Sequence, residues 1–171
     1  MSPASSGSPR SPLTPLQAIV GGALIVGVLD LLDALLFYGA RGVPATAILH
    51  SIAAGVLGMA AFRGGAGTAA LGVLLHFVIA LGVVAVYFAA SRAWPALRRQ
   101  PLLYGPLYGL LVYAVMNVIV VPLSAAPEGP RPWPVLLNGL LIHVLGVGLP
   151  AALATRAAGE PAEHRGRVVA A

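Results

Sequence analysis

Five side chains in this sequence belong to the types that bind protons, metals or haem, and all five fall in or beside strongly apolar stretches: Asp30, Asp33, His50, His76 and His143. Two of the imidazoles repeat one short pattern, Gly72-Val-Leu-Leu-His76 and Gly139-Leu-Leu-Ile-His143. Ionisable groups are costly in lipid, so their presence there points to function. Asp30 and Asp33 stand one helical turn apart and project from one side of a helix. Two close carboxylates in apolar surroundings cannot both remain ionised, so the pair is a candidate proton acceptor or part of a metal-ligand set.

His76 and His143 form the sharper pair. Each has a glycine four residues earlier on the same helix face, which is expected to make room beneath the ring. Gly139, His143, Gly146 and Pro150 then form a narrow stripe suited to a planar cofactor or to the backbone of another helix. Imidazoles at matched depth on two helices are what axial haem ligation requires. With Asp30, Asp33 and His50 they also suit zinc, iron or manganese. The plain alternative is that each histidine only hydrogen-bonds a neighbouring helix. Tyr113, Asn117 and Asn138 complete the expected polar cluster, Tyr113 and Asn117 as an i,i+4 pair.

Four apolar runs are long enough to span a bilayer and carry these groups: 16–38, 68–90, 102–123 and 135–155. A fifth, 45–62, contains Thr46, His50, Ser51, Gly55 and Gly58 and reads as a re-entrant or short half-span, with Ile48, Ile52, Val56 and Met59 on its large face. The expected fold is therefore all-α: an integral membrane bundle of four transmembrane helices plus this segment, forming one domain over 15–156. A disordered tail is expected over 1–14 and a flexible cytoplasmic tail over 157–171. The first run is too long for a signal-peptide core and reads as a retained anchor.

Arginine counts place the C-terminus in the cytoplasm, because Arg92, Arg98, Arg99, Arg156, Arg165 and Arg167 flank one side of the later spans against Arg131 on the other. For the first spans the rule ties, since four-span and five-span arrangements both leave seven arginines inside and three outside. Depth favours four. Asp30, His76 and His143 then each lie about 12 Å below the outer helix ends, at about 1.5 Å per residue.

Composition supports a membrane protein: 58% of the 171 residues are hydrophobic and 9% charged, and the mean hydropathy is +0.91. The net charge of +5 comes from arginines scattered between apolar runs rather than gathered in a patch, which argues against nucleic acid. With no cysteine, disulfides, thiolate ligands and cysteine nucleophiles are excluded. Gly105-Pro-Leu-Tyr-Gly109 lacks the lysine and spacing of a phosphate loop, so no nucleotide partner is expected. Trp94, Tyr104 and Tyr108 are assigned to the inner aromatic belt, Tyr38 and Trp133 to the outer one.

Arg41-Gly-Val-Pro44, Ser51-Ile-Ala-Ala-Gly55, Leu75-His-Phe-Val-Ile-Ala80, Tyr108-Gly-Leu-Leu-Val-Tyr113, Met116-Asn117, Pro122-Leu-Ser-Ala125 and Asn138-Gly139 with His143 resemble an uncharacterised bacterial family of small polytopic inner-membrane proteins. The resemblance covers about residues 19–154. It implies an inner-membrane location and no activity. Three functions remain open: metal handling or haem-based electron transfer through His76 and His143; a proton-linked carrier or channel built on the Asp/His cluster; and a structural or accessory protein, alone, as a homo-oligomer or in a larger membrane complex. An enzyme is the less expected outcome.

Overall fold

The computed structural model describes residues 13–127 and 129–158, and among these every regular element is helical. Of the tails expected over 1–14 and 157–171, residues 1–12 and 159–171 lie outside the described residues. Thr14, assigned to the tail on composition, caps the first helix, and Ala157 is the last residue of the final one. Thr14 Oγ1 accepts from the Gln17 N–H while Gln17 Oε1 accepts from the Thr14 N–H, and Pro15 fills the first turn, where a missing N–H costs nothing.

Helix α1 spans Pro15–Gly39, α2 Ala45–Leu57, α3 Gly65–Ala93 and the short α4 Ala96–Arg99. Helices α5, Pro101–Leu123, and α6, Trp133–Ala157, complete the bundle. A 3₁₀ segment, Gly58–Arg63, extends α2. Five of these segments are long and apolar enough to cross a membrane, which fits a multi-pass membrane protein. Leu16, Leu24, Leu36, Leu74, Leu102, Val118, Leu123 and Leu145 are each more than half exposed, as lipid-facing side chains would be. The interior is built from small residues instead: Ala18, Ala23, Ala53, Ala54, Ala61, Ala151 and Ala152 are essentially inaccessible, so backbones approach closely and dispersion holds the helices together.

Helix directions follow from residue pairings. Gly22 of α1 faces Val84 of α3 and Gly27 faces Phe77, an antiparallel match that brings Gly39 level with the start of α3. Gly22 also faces Ala154 of α6, and Gly146 of α6 faces Leu29. Along α5, Gly105 meets Leu149 and Gly139 of α6 meets Tyr113. Helices α1 and α5 therefore run one way, and α3 and α6 the other. Leu13 N–H donates to the Ala157 carbonyl at 3.0 Å, which fixes the start of α1 and the end of α6 at one end of the bundle. The segment Ala45–Arg63 begins and ends at the opposite end, so it passes one telling test of a half-span despite a length that would allow crossing. It packs chiefly on α3. Gly58, at φ +59°, breaks its α-helical run, and Gly65, at φ +60°, turns the chain into α3; both need the left-handed region open to glycine.

This topology has a direct check, because the chain has no native cysteine. Single cysteines at Ala40 and Gly129 are expected to react with an impermeant maleimide from one side of sealed vesicles, and those at Ala93 and Gln100 only from the other. Labelling of Ala40 and Gly129 from opposite sides would reject the arrangement.

Candidate functional site

Two departures from α-helical winding frame the site. Met116–Val120 in α5 and His143–Gly148 in α6 are π-helical, and in each case a proline follows two residues later, Pro122 and Pro150. Proline has no N–H to give to the carbonyl four residues earlier and its ring crowds that carbonyl, so the preceding turn widens. The wide turns carry Asn117 and His143, and such bulges gather at functional positions. The sequence signal was available in the two prolines, but spacing along an ideal helix does not disclose it.

Between α1, α2, α3, α5 and α6 lies a cavity of about 420 Å³. Its polar lining is Asp30, Tyr38, Ser51, His76, Asn117 and His143. Val26, Ala80, Val112 and Val147 line its deep end and, with Ala23, Val84 and Ala151, form an apolar cluster that closes the bundle toward the chain termini. Tyr38, Gly55 and Ala126 line the end near α2.

Asp30, His76 and His143, expected at one depth, share this cavity. His76 Nδ1 stands 4.0 Å from Asp30 Oδ2, with side chains 12% and 28% exposed respectively, and His143 lies within electrostatic range of the same carboxylate. Each imidazole is fixed by a backbone carbonyl: His76 Nε2 contacts the Gly27 oxygen at 2.8 Å and His143 Nδ1 the Gly139 oxygen at 2.8 Å. A carbonyl only accepts, so these nitrogens carry the protons, leaving His76 Nδ1 and His143 Nε2 with the lone pairs. The Tyr113 ring meets that of His143 edge to face, centroids 5.4 Å apart.

The remaining candidates are engaged elsewhere. Asn138 Nδ2 donates to Asp33 Oδ2 at 2.6 Å, joining α6 to α1 outside the cavity lining. His50, buried, donates through Nε2 to the Gly65 carbonyl at 2.9 Å and secures the turn into α3. Tyr113 donates to the Leu136 carbonyl at 3.1 Å. Asn117 Nδ2 donates to the Tyr113 carbonyl at 2.9 Å, and Arg131 holds the Asn117 oxygen Oδ1 at 3.3 Å. One aromatic assignment changes. Tyr108 does not mark a boundary: it donates to the Val83 carbonyl at 2.7 Å and packs edge-on against Tyr87 in the interior, while Tyr38 lines the cavity.

The glycines do other work than seating histidine rings. A Cβ at Gly72 would strike the Leu49 carbonyl of α2, and one at Gly139 would come within 3.0 Å of the Tyr113 ring. A Cβ at Gly27 would fall 2.6 Å from the Phe77 ring.

Neither a haem nor the five-residue metal set fits these positions. The stripe beside His143 that a haem would need is filled by protein: Gly146 by Ile142 and Leu29, Gly148 by α5. Among the described residues no three His, Asp or Glu side chains stand close enough to hold a metal ion, because Asp33 and His50 face other partners. The Asp33–Asn138 bond is a helix clamp of modest strength. Asn138→Leu is expected to cost about 0.6 kcal/mol, the average for such bonds in a membrane protein, in a denaturation titration. No family model, curated protein or solved structure matches the chain.

Proposed function

We propose that this protein is an inner-membrane carrier that binds a small substrate and a proton in its central cavity, with Asp30 and His76 as the proton-holding pair and His143 beside them. One observation carries the reading: Asp30, His76 and His143 line a cavity that apolar residues close at one end. A carrier needs both features, a site that changes charge and a barrier beneath it. The cavity volume lies within the range of small-ligand sites, about 300–1,000 Å³.

Among the described residues Arg92, Arg98, Arg99 and Arg156 lie at the end of the bundle where α1 begins and α6 ends, against Arg41, Arg63 and Arg131 at the other, and together with the count along the sequence this assigns the first end to the cytoplasm and the cavity to the opposite, periplasmic half. Arg41 anchors that outer end by donating to the Phe37 carbonyl at 2.6 Å and lying 3.5 Å over the Phe37 ring. The saturation of Asp33, His50 and Tyr113 by neighbouring groups supports the competing reading, a structural or accessory protein.

Proteoliposomes containing a pH-sensitive dye separate the two. After a pH jump, at least one of three added solute classes, small amines, small carboxylates or neutral solutes, is expected to change the internal pH faster than in protein-free vesicles. If none does, transport is rejected and the structural role stands.

A further inference from the structure

We propose that the cavity's ligand is a primary organic ammonium with a short apolar body, taken up in exchange for a proton. The proposal rests on the carrier reading and names its substrate class. Most of the cavity's polar groups have committed a hydrogen to the backbone. His76 and His143 each give one N–H to a carbonyl, the Ser51 hydroxyl donates to the Ile48 carbonyl at 2.7 Å, and Asn117 Nδ2 donates to Tyr113. What remains for a ligand is mainly acceptor capacity, the Asp30 oxygens, His76 Nδ1, His143 Nε2 and the Ser51 lone pairs, beside two donors, the Tyr38 hydroxyl and the second Asn117 N–H. A carboxylate ligand would meet lone pairs and a like charge. A primary ammonium offers three N–H donors and a compensating charge.

Spacing discriminates further. Metal bonds to nitrogen and oxygen are about 2.0–2.2 Å long, whereas hydrogen bonds reach about 2.9 Å, so acceptors too spread for a metal can still surround an ammonium. The rest of the lining, Val26, Ile48, Ile52, Ile79, Val83 and Met116 among it, suits a hydrocarbon body.

Exchange follows from shared atoms. With a proton on Nδ1, His76 is a cation facing the Asp30 carboxylate. An incoming ammonium takes over that carboxylate and the Nδ1 lone pair, and the displaced proton leaves through the cavity, so one positive charge enters as one departs. The charged and titratable groups near Asp30 are Asp33 and Tyr38 from α1, His76 from α3 and His143 from α6. Helix α2 contributes Ser51, and α5 contributes Asn117 with Arg131 bound to it.

Calorimetric titration of the detergent-purified full chain with hexylammonium, hexanoate and hexanol, each in two buffers of different ionisation enthalpy, measures binding and proton release together. The expected result is binding of hexylammonium alone, with a proton released and a loss of about tenfold or more in Asp30→Asn and His143→Gln, as for a lost charge-assisted bond. Equal or tighter binding of hexanoate or hexanol to the wild type overturns the ammonium assignment and leaves the carrier reading intact, and this comparison needs no variant. Absence of binding by all three also overturns it. If Asp30→Asn then also titrates protons as the wild type does, the proton-linked reading falls with it.

Discussion

Gly109→Ala is expected to destabilise the protein by about 1–3 kcal/mol, the usual range for overpacking a tight interior. The cause lies at the crossing of α5 and α6. A Cβ on Gly109 would overlap the His143 carbonyl, with Val144 Cα 2.8 Å away, and Gly148 presses on Gly105 and Gly109 from the other helix. These obstacles are backbone atoms, so no rotamer change relieves the clash and one helix must move. Movement there displaces the wide turn that begins at His143, and the imidazole with it. Gly148→Ala should behave alike. Gly21→Ala and Gly82→Ala are the controls, since an added Cβ at either meets nothing within 4 Å and alanine favours helix by up to about 1 kcal/mol over glycine. Thermal unfolding in detergent, following α-helical circular dichroism, should give a lower midpoint for the first pair and no decrease for the second. Equal behaviour of all four would show that this crossing does not limit stability.

The bundle was legible in the sequence because its main determinant is coarse. Runs of about twenty apolar residues can hydrogen-bond their backbones in lipid only as helices, so the long apolar helices were readable from composition. The half-span was readable from a different cue, the density of Thr46, His50, Ser51, Gly55 and Gly58 in a short run. Its faces were less so. Val56 and Met59, assigned to a common large face with Ile48 and Ile52, are mostly exposed, whereas Ile48 is buried and lines the cavity with Ile52. Beyond Gly58 the α-helical projection no longer applies, which accounts for Met59 but not for Val56, inside the helix.

Within the site, depth could be counted but partners could not. Counting residues from helix ends brought Asp30, His76 and His143 to one level, and the cavity holds all three. Whether Asp33 joins them depends on helix rotation and on what α6 offers at that height. It offers Asn138, which claims Asp33. His50 was drawn away by the turn at Gly65, whose carbonyl lies within reach and accepts from Thr68 as well. A glycine four residues before a histidine indicates close approach without saying by what; at Gly72 the answer is the Leu49 carbonyl.

That separation of the two acids supports the second large effect. Asp30→Asn is expected to abolish proton-linked flux in the vesicle assay, while Asp33→Asn retains most of it. The substitutions change the same atoms at positions one turn apart, so differences in folding or helix propensity largely cancel. Asp30 has His76 Nδ1 as its partner across 4.0 Å of cavity, and an amide there can neither balance an imidazolium nor hold a cation. Asp33 already has an amide donor at 2.6 Å, and an asparagine can still accept that bond through its carbonyl oxygen. The pH dependence carries the same sign. If ligand and proton compete for Asp30 and the two imidazole lone pairs, apparent affinity for hexylammonium falls as pH drops, approaching about tenfold per pH unit for one-proton exchange. Asp30→Asn should flatten that slope, and Asp33→Asn should leave it. Equal loss of flux in both variants would place the acids in one functional unit after all and remove the cavity's claim to be the site of exchange.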